Sequence, residues 1–135
     1  MATSLKNDPV PDLDEFRLRR FVDRMVAEGE VDVVEEPIEL ADLAGRMDGN
    51  EKAVLFRQAG PEKAEIIGSM TGGRARMAKA FGVGPAELLQ EVNRRLAAPQ
   101  DIIELDSADA PVHQVIVTGD DVDLTALPVH LQHEL

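Results

Sequence analysis

The scarcity of aromatic residues constrains the core of this chain more than any other feature of its sequence. The chain has four Phe residues and neither Trp nor Tyr. Aromatic rings normally supply the largest buried areas, so the core must be built from aliphatic side chains and Met. Such a core suits helices packed on a small sheet. With 135 residues, the chain fits one domain, which can bury roughly two-thirds of its unfolded surface.

Cysteine content and charge exclude several functional classes. The absence of Cys rules out disulfides, thiolate zinc sites and a Cys nucleophile. The net charge of −12 disfavours nucleic acid and anionic membranes, because both bind through Lys and Arg. No apolar run approaches the roughly 18 residues of a membrane span, and the N-terminus lacks a signal-peptide centre. We expect a soluble cytoplasmic protein with neither a nucleic-acid nor a membrane partner.

Apolar residues recur with helical spacing in four places. The four sets are Leu18, Phe21, Val22 and Met25; Leu40, Leu43, Ala44 and Met47; Met77 and Phe81; and Leu88, Leu89, Val92 and Leu96. Asp12 can cap the first helix, beginning at Leu13, and Gly29, Gly49, Gly82 and Pro99 are placed to end the four helices. Pro85 suits the first position of the last helix, whose four apolar residues are expected to be buried.

Four short runs are typical of strands: residues 31–34, 53–56, 65–68 and 112–118. The last is β-branched, lies between Pro111 and Gly119, and is the strongest strand pattern of the four. His113 alternates with Val115 and Val117 there, which indicates a half-buried strand histidine. The predicted fold is α/β, with α+β possible, and combines a small mixed sheet of about four strands with about four helices.

The turn around Gly72, Gly73 and Arg74 is the most interesting candidate binding site. A strand leads into the glycine pair, and a helix carrying Arg74 and Arg76 follows, so backbone N–H groups there could hold a phosphate or carboxylate. The spacing matches neither common phosphate-loop motif. A tight turn with Thr71 as the helix cap is the favoured interpretation.

The remaining candidates favour structural interpretations. His130 and His133, with Glu134, would share a helical face and could bind a metal, but Pro128 favours an extended backbone that separates them. The acidic residues 120–123 lack the ligand order of a calcium loop and predict a solvated turn. Arg94 and Arg95 fall in the last turn of a helix, where positive charge is favourable. We assign no catalytic, cofactor-binding or metal-binding residue.

Several stretches, taken in order, match the motifs of one known protein family. Residues 18–31 are similar to the family's opening helix, its Glu-Gly-Glu turn and its first strand, and residues 35–38 with the following short helix fit what comes next. Residues 53–56 resemble a further strand. Residues 67–82 resemble a Gly-Asn-x-x-Gly-Ser-Arg segment, with Ser69 in place of Asn. Residues 123–129 are similar to the family's Asp-Leu-x-x-Leu-Pro segment, and His133 lies near a position often occupied by His. Together these stretches resemble the N-terminal region of UbiD-type decarboxylases, which use prenylated flavin.

The resemblance implies an N-terminal domain or small subunit of a UbiD-like (de)carboxylase acting on an aromatic or α,β-unsaturated acid. In this family the cofactor forms an adduct with the substrate and accepts electrons while CO₂ leaves. The resemblance also implies prenylated FMN, a divalent metal (Mn) and potassium for the complete enzyme, and none of them on this chain alone. The family's cofactor and catalytic motifs, which lie in a split-barrel domain, have no counterpart in these residues.

We therefore expect three parts: a flexible arm at residues 1–12, an α/β domain at 13–118, and a connector at 119–135. The connector would lead into a missing or partner split-barrel domain. The expected partner is the catalytic remainder or larger subunit of a UbiD-like enzyme, in an oligomer, and the isolated chain should be inactive. Two alternatives stay open: an acidic, non-catalytic protein-interaction module, and a phosphate- or nucleotide-binding protein that uses the Gly72-Gly73 turn.

Overall fold

The computed structural model describes residues 17–99, 104, 106–108, 110–124 and 127. Four helices lie in this part of the chain: α1 (Leu18–Ala27), α2 (Leu43–Met47), α3 (Arg74–Phe81) and α4 (Leu88–Leu96). The three strands are β1 (Val31–Val34), β2 (Ala53–Ala59) and β3 (Ala64–Gly68). Single 3₁₀ turns form at Leu40–Asp42, Pro111–His113 and Gly119–Asp121. The predicted arm, the Asp12 cap and a helix start at Leu13 lie outside the described residues.

The three strands form one mixed sheet in the order β1-β2-β3. β1 runs parallel to β2, with Val31 opposite Ala53. β2 and β3 are antiparallel, with Val54 opposite Gly68, and the register shifts between Phe56 and Ala59. The parallel pair requires a crossover, which is provided by the 3₁₀ turn and α2.

The sheet is covered on both faces, and β2 lies at its centre. Ala53 and Leu55 face α1 and pack with Val22, Met25 and Val31. Val54, Phe56 and Ala59 face the opposite side and pack with Leu43 of α2. A strand buried on both faces needs consecutive apolar residues, and the Ala53-Val54-Leu55-Phe56 run has this pattern. The prediction of an α/β fold with four helices and a small mixed sheet is confirmed, and the described core consists of aliphatic side chains with Met25 and Phe56.

Glycine ends two of the helices as predicted. Gly29 follows α1 with φ of 75°, and Gly82 caps α3 with φ of 73°. Both angles lie in the left-handed region, which costs glycine little because it has no Cβ.

The predicted strand at residues 112–118 is wrong for this chain. A 3₁₀ turn at Pro111–His113 precedes residues without regular structure. Val115 and Ile116 are 80% and 67% exposed, and His113 is exposed instead of half-buried. β-branched residues favour a strand only when a neighbouring strand and a core can receive them. In the described part of the chain, the sheet provides neither at this position.

The last helix also differs from its prediction. It begins at Leu88, three residues after Pro85, and Leu88 is its one buried residue. Leu89 and Leu96 are 63% and 73% exposed, because α4 packs against α3 at the edge of the domain. In α3 the buried residues are Arg76 and Ala78, whereas Met77 is exposed.

None of the helices described here is both long enough and apolar enough to cross a membrane.

Candidate functional site

The turn that follows β3 is filled by a side chain of this domain. Arg76 is 4% exposed. Its guanidinium donates hydrogen bonds to three backbone carbonyl oxygens, at 2.9 Å to Glu51, 3.1 Å to Ser69 and 3.3 Å to Met70. A Cβ on Gly73 would lie 2.9 Å from the guanidinium carbon. Arg76 therefore braces the turn from inside and occupies space that an anion would need.

The turn interpretation holds, but the predicted Thr71 cap is wrong. The residue preceding α3 is Gly73, and no side chain caps the helix. Arg74 points away from the turn and donates to the carbonyl oxygen of Pro85 at 2.9 Å. The arginine pair that suggested an anion site thus has two structural roles.

A small ion cluster connects α3 to the residues that follow α1. Lys79 Nζ lies 2.6 Å from Glu28 Oε2 and 2.8 Å from Glu30 Oε1. The hydrogen bond from Lys79 lowers the pKa of the Glu30 carboxyl. Bonds to Glu28 and then Glu30 raise the pKa of Lys79. Arg76 lies 3.9 Å from Glu30, so the brace and the cluster are continuous.

An open groove with a volume of about 970 Å³ lies between α1, α3 and α4. We call it the helix groove. Its cationic lining residues are Arg24, Lys79, Arg94 and Arg95, and its main apolar ones are Leu18, Phe21, Phe81, Ala98 and Pro99. No Asp or Glu is among the described residues that line it.

Two arginines of the helix groove are held over aromatic rings. The guanidinium carbon of Arg24 lies 5.1 Å from the centre of the Phe21 ring, and that of Arg95 lies 4.7 Å from the Phe81 ring. Each also donates to a backbone carbonyl oxygen of α3, at 3.1 Å to Lys79 and 3.0 Å to Phe81. Stacking and hydrogen bonding together fix these cations in place.

Glu91 fixes the cations of α4 from within the same helix. Its carboxylate accepts hydrogen bonds at 2.7 Å from Arg94 and 2.8 Å from Arg95. These bonds, that from Arg94 first, lower the pKa of Glu91 to about 2. Both arginines lie in the last turn of α4, as predicted.

A second, smaller cleft of about 310 Å³ opens between α1 and the β2–β3 face. Two arginines and two carboxylates, Arg19, Arg57, Asp23 and Glu65, line it. Glu65 forms a hydrogen-bonded ion pair with Arg57 and lies 3.6 Å from Arg19. Because cations and carboxylates balance here, the cleft has no evident preference for a charged ligand.

The acidic candidates do not converge on a metal site. Asp120 and Asp121 lie in an exposed 3₁₀ turn, in line with the predicted solvated turn. The described residues contain no group of three or more His, Asp or Glu side chains placed to hold a metal ion. His113 Nδ1 lies 2.9 Å from the Ser107 hydroxyl oxygen. His130, His133 and Glu134 lie outside the described residues, so their interpretation stays a prediction.

The segment of the chain that forms the helix groove also matches a known protein family. The family model of the 3-octaprenyl-4-hydroxybenzoate carboxy-lyase N-terminal domain matches residues 17–96. The chain belongs to the UbiD N-terminal domain family. The matched residues span α1 to the end of α4 and therefore include the sheet, the Arg76 brace and the helix groove.

Solved structures of a UbiD-class enzyme share this fold. An evolved dimeric form of HmfF from Pelotomaculum thermopropionicum, in complex with prFMN, superposes with a TM-score of 0.70 at 21% identity. HmfF from the same organism in complex with FMN gives the same two values. The match covers 87% of this chain but 28% and 27% of the two HmfF chains. At this identity the similarity concerns the fold, and the UbiD domain here corresponds to a minor part of those chains.

Sequence reasoning missed the helix groove and the Arg76 brace. One local signal was present: Phe21 and Arg24 are three residues apart on one helix, a spacing that brings side chains together. The pairing of Arg95 with Phe81 joins two helices, and no sequence periodicity reveals it. Burial of Arg76 depends on carbonyl groups from distant segments, which sequence spacing does not show.

Proposed function

We propose that this UbiD domain is the N-terminal part of a cytoplasmic UbiD-like (de)carboxylase acting on an aromatic or α,β-unsaturated carboxylic acid. It packs against the part that holds prenylated flavin. Family membership and the HmfF fold support the enzyme class. The complete enzyme would carry prenylated FMN, Mn and potassium, and would be oligomeric.

The described residues do not fit the cofactor or its metals. The Gly72-Gly73 turn, which the sequence suggested as a phosphate site, is filled by the Arg76 guanidinium. The described carboxylates do not gather into a metal-binding group. In this proposal, cofactor binding and catalysis belong to the remainder of the enzyme. That this chain alone carries no cofactor stays a prediction.

The observation that carries the docking role is the exposed apolar surface of residues 112–124 and Leu127, which we call the apolar segment. Its large apolar side chains are Val112, Val115, Ile116, Val117, Val122, Leu124 and Leu127, which are 50% to 80% exposed. Exposed apolar side chains that gather on one surface are typical of an interaction site, and seven of them fall within this short stretch of chain. Residues 112–118 also have a strand pattern but no strand partner in the described chain. A strand of the catalytic remainder would supply both the pairing and the cover.

The first test is the activity of the purified chain. Alone, it should show no decarboxylation of aromatic or α,β-unsaturated acids and no flavin absorbance. Turnover or bound flavin on the isolated chain would contradict this division of roles. Intact mass spectrometry of the native assembly should show the catalytic remainder travelling with this domain.

The second test targets the apolar segment. Val115→Asp with Val117→Asp should abolish association with the catalytic remainder, while the free energy of unfolding of the chain changes by less than about 0.5 kcal/mol, since both residues are exposed. Gln114→Asp with Thr118→Asp adds the same charge to the same segment without removing apolar surface. This control should still associate. If both double variants lose association equally, the added charge and not the loss of apolar contact is the cause, and the docking role of the apolar side chains is contradicted.

An acidic interaction module without chemistry is the alternative, favoured by the same exposed segment and the net charge of −12. The coding sequence distinguishes the decarboxylase proposal from the interaction-module alternative. A following or neighbouring reading frame with an Asp-Gly-x-x-Tyr-Ile-like strand favours the decarboxylase, whereas unrelated sequence favours the module.

A further inference from the structure

The chain contains a single Asp-Gly pair, Asp48-Gly49, and no Asn that is followed by Gly. The pair lies directly after α2, where Asp48 caps the end of the helix and Gly49 takes a φ of 69°. Both residues are exposed. Glycine has no Cβ and moves freely in φ and ψ, so the backbone nitrogen that follows Asp48 is unshielded. The sequence and the turn together place a carboxyl group next to an accessible amide.

Neither of these two groups is held by another part of the described chain. The amide of Asp48 donates to the carbonyl oxygen of Ala44 at 2.9 Å, and that of Asn50 donates to Met47 at 3.2 Å. The Gly49 amide between them has no such partner among the described residues. Within the same part of the chain, the Asp48 carboxylate forms no ion pair or hydrogen bond. A Cβ added to Gly49 would meet no heavy atom within 4 Å, so the space around the pair is open.

An aspartate and the amide that follows it condense with loss of water. The Gly49 nitrogen attacks the side-chain carboxyl carbon of Asp48. A C–N bond forms, the nitrogen loses its proton, and the carboxyl OH leaves, so that one water is released and a succinimide ring results. Water then opens the ring at either carbonyl carbon. Opening at the side-chain carbon restores aspartate, whereas opening at the main-chain carbon breaks the original peptide bond and leaves isoaspartate. The sequence of steps needs no oxidant or reductant, and the final mass is unchanged.

Ring closure requires a rotation about the Cα–C bond of Asp48. The ψ of Asp48 is 132°, which holds the Gly49 nitrogen away from the carboxyl carbon. The hydrogen bond that spans the pair, from Asn50 to Met47, is at the long end of the usual range at 3.2 Å. The described residues therefore oppose this rotation with one weak bond, and Gly49 can absorb the change in backbone direction.

We propose that Asp48-Gly49 is a site of spontaneous isoaspartate formation in the folded domain, and that this modification loosens the crossover between β1 and β2. The product is an isoaspartyl peptide, which is the substrate class of protein isoaspartyl methyltransferases. Those enzymes transfer a methyl group to the α-carboxylate that the rearrangement sets free. The reaction goes beyond the proposed function and does not depend on it.

The residues that follow the pair attach the crossover to the sheet. The side-chain amide of Asn50 donates to Asp32 Oδ2 of β1 at 3.1 Å. The backbone N–H of Lys52 donates to the side-chain oxygen of Asn50 at 2.9 Å, and Lys52 Nζ lies 3.2 Å from Asp32 Oδ1. Isoaspartate adds one carbon atom to the main chain at position 48. This extra length moves Asn50 relative to Asp32, so the bond between them is lost.

The test is a prolonged incubation of the purified chain at neutral pH. Isoaspartate is detected by methylation with a protein isoaspartyl methyltransferase, and its position is mapped by electron-transfer fragmentation. It should accumulate at Asp48 about tenfold faster than at Asp106, where the following Ser107 carries a Cβ. Incubation in isotopically labelled water should add a labelled oxygen to the peptide that contains Asp48.

Two variants separate the proposed site from the surrounding segment. Asp48→Glu keeps the charge and Gly49, but its longer side chain would need a six-membered ring, which closes far more slowly. This variant should form no detectable isoaspartyl bond in that peptide. Asp42→Glu is the matched control, since Asp42 is exposed in the preceding 3₁₀ turn and is followed by Leu43. The control should leave the rate at Asp48 unchanged.

The dependence on the folded turn is tested by repeating the incubation in urea. The rate at Asp48 in the folded protein should lie within about tenfold of the rate in urea, because one weak hydrogen bond opposes the rotation. If isoaspartate forms at Asp48 only in urea, or faster at another residue of the folded protein, the proposed site is wrong.

The effect on the crossover is measured on the isoaspartyl form after chromatographic separation. Its melting temperature should be about 4–8 °C lower than that of the unmodified protein, the shift expected for one lost hydrogen bond in a domain of this size. Asp48→Glu incubated for the same time should show no such fall. An isoaspartyl form that melts with the unmodified protein would contradict the loosening of the crossover.

Discussion

Arg76 Nη1 donates a hydrogen bond of 2.9 Å to the backbone carbonyl oxygen of Glu51, which lies two residues before β2. The same guanidinium reaches Ser69 and Met70 after β3. One side chain of α3 thus joins the start of β2 to the end of β3. The geometry of the turn therefore depends on a buried charge satisfied by backbone groups.

Replacing this arginine should be among the most damaging single changes in the domain. Arg76→Met keeps much of the volume but leaves three carbonyl groups without their donor, so we expect a loss of about 3 kcal/mol in the free energy of unfolding. Arg74→Met, which removes one bond at an exposed site, should cost less than about 1 kcal/mol. Urea denaturation followed by circular dichroism measures both. Equal effects would contradict the bracing role.

Glycine at position 73 is required by the same guanidinium. Gly73→Ala places a Cβ 2.9 Å from the Arg76 guanidinium carbon, and the displaced side chain should cost about 1–3 kcal/mol. Gly45→Ala is the matched control, because Gly45 lies in α2 and its added Cβ would have no heavy atom within 4 Å. That change should stabilise the protein by about 0.5–1 kcal/mol. Thermal melting of the two variants should shift in opposite directions.

Ser69 is held in a conformation that suits another residue better. Its φ is 57°, in the left-handed region that Asn tolerates more readily than Ser. Ser69→Asn, which introduces the residue usual in the resembling decarboxylases, should raise the free energy of unfolding by roughly 0.5 kcal/mol. Thr71→Asn, in the same turn but without a positive φ, should have no such effect. A destabilised Ser69→Asn variant in chemical denaturation would refute this reading of the turn.

Glu91 should make the stability of the domain sensitive to acid. Its pKa is lowered from 4.5 to about 2 by the bonds from Arg94 and Arg95. As pH falls below 4.5, the unfolded state binds a proton before the folded state does, so stability is lost between about pH 4.5 and 2. The melting temperature of Glu91→Gln should fall less steeply than that of the unmodified protein across this window, and the two curves should be parallel above pH 6. Glu62→Gln, at an exposed turn, should follow the unmodified curve.

Local patterns predicted the parts of the fold that depend on neighbouring residues. The spacing of Phe21, Val22 and Met25 placed α1, and Gly29 and Gly82 ended their helices because a positive φ favours glycine. The run 53–56 identified β2 because both faces of that strand are buried. These features need no knowledge of distant contacts.

The errors arise where a distant partner decides the outcome. Residues 112–118 have every local property of a strand, yet a strand also needs a neighbour, and none is present in the described chain. Leu89 and Leu96 have helical spacing, but in the part of the chain that the structure describes both side chains stay exposed. The helix groove was missed for the same reason, since Phe81 and Arg95 meet only after α3 and α4 pack. The family resemblance came from ordered short motifs, and it identified the class of domain without assigning a single site residue.

The two pairings of β2 also predict an order of folding. β3 follows β2 after a short turn, so the hairpin can close locally, whereas the parallel pairing with β1 must first enclose the whole crossover through α2. During refolding, amides of the hairpin should become protected before those of β1, which pulse-labelled hydrogen exchange can resolve. Destabilising substitutions in the turn between β2 and β3 should then slow folding. Destabilising substitutions in the crossover through α2 should chiefly accelerate unfolding.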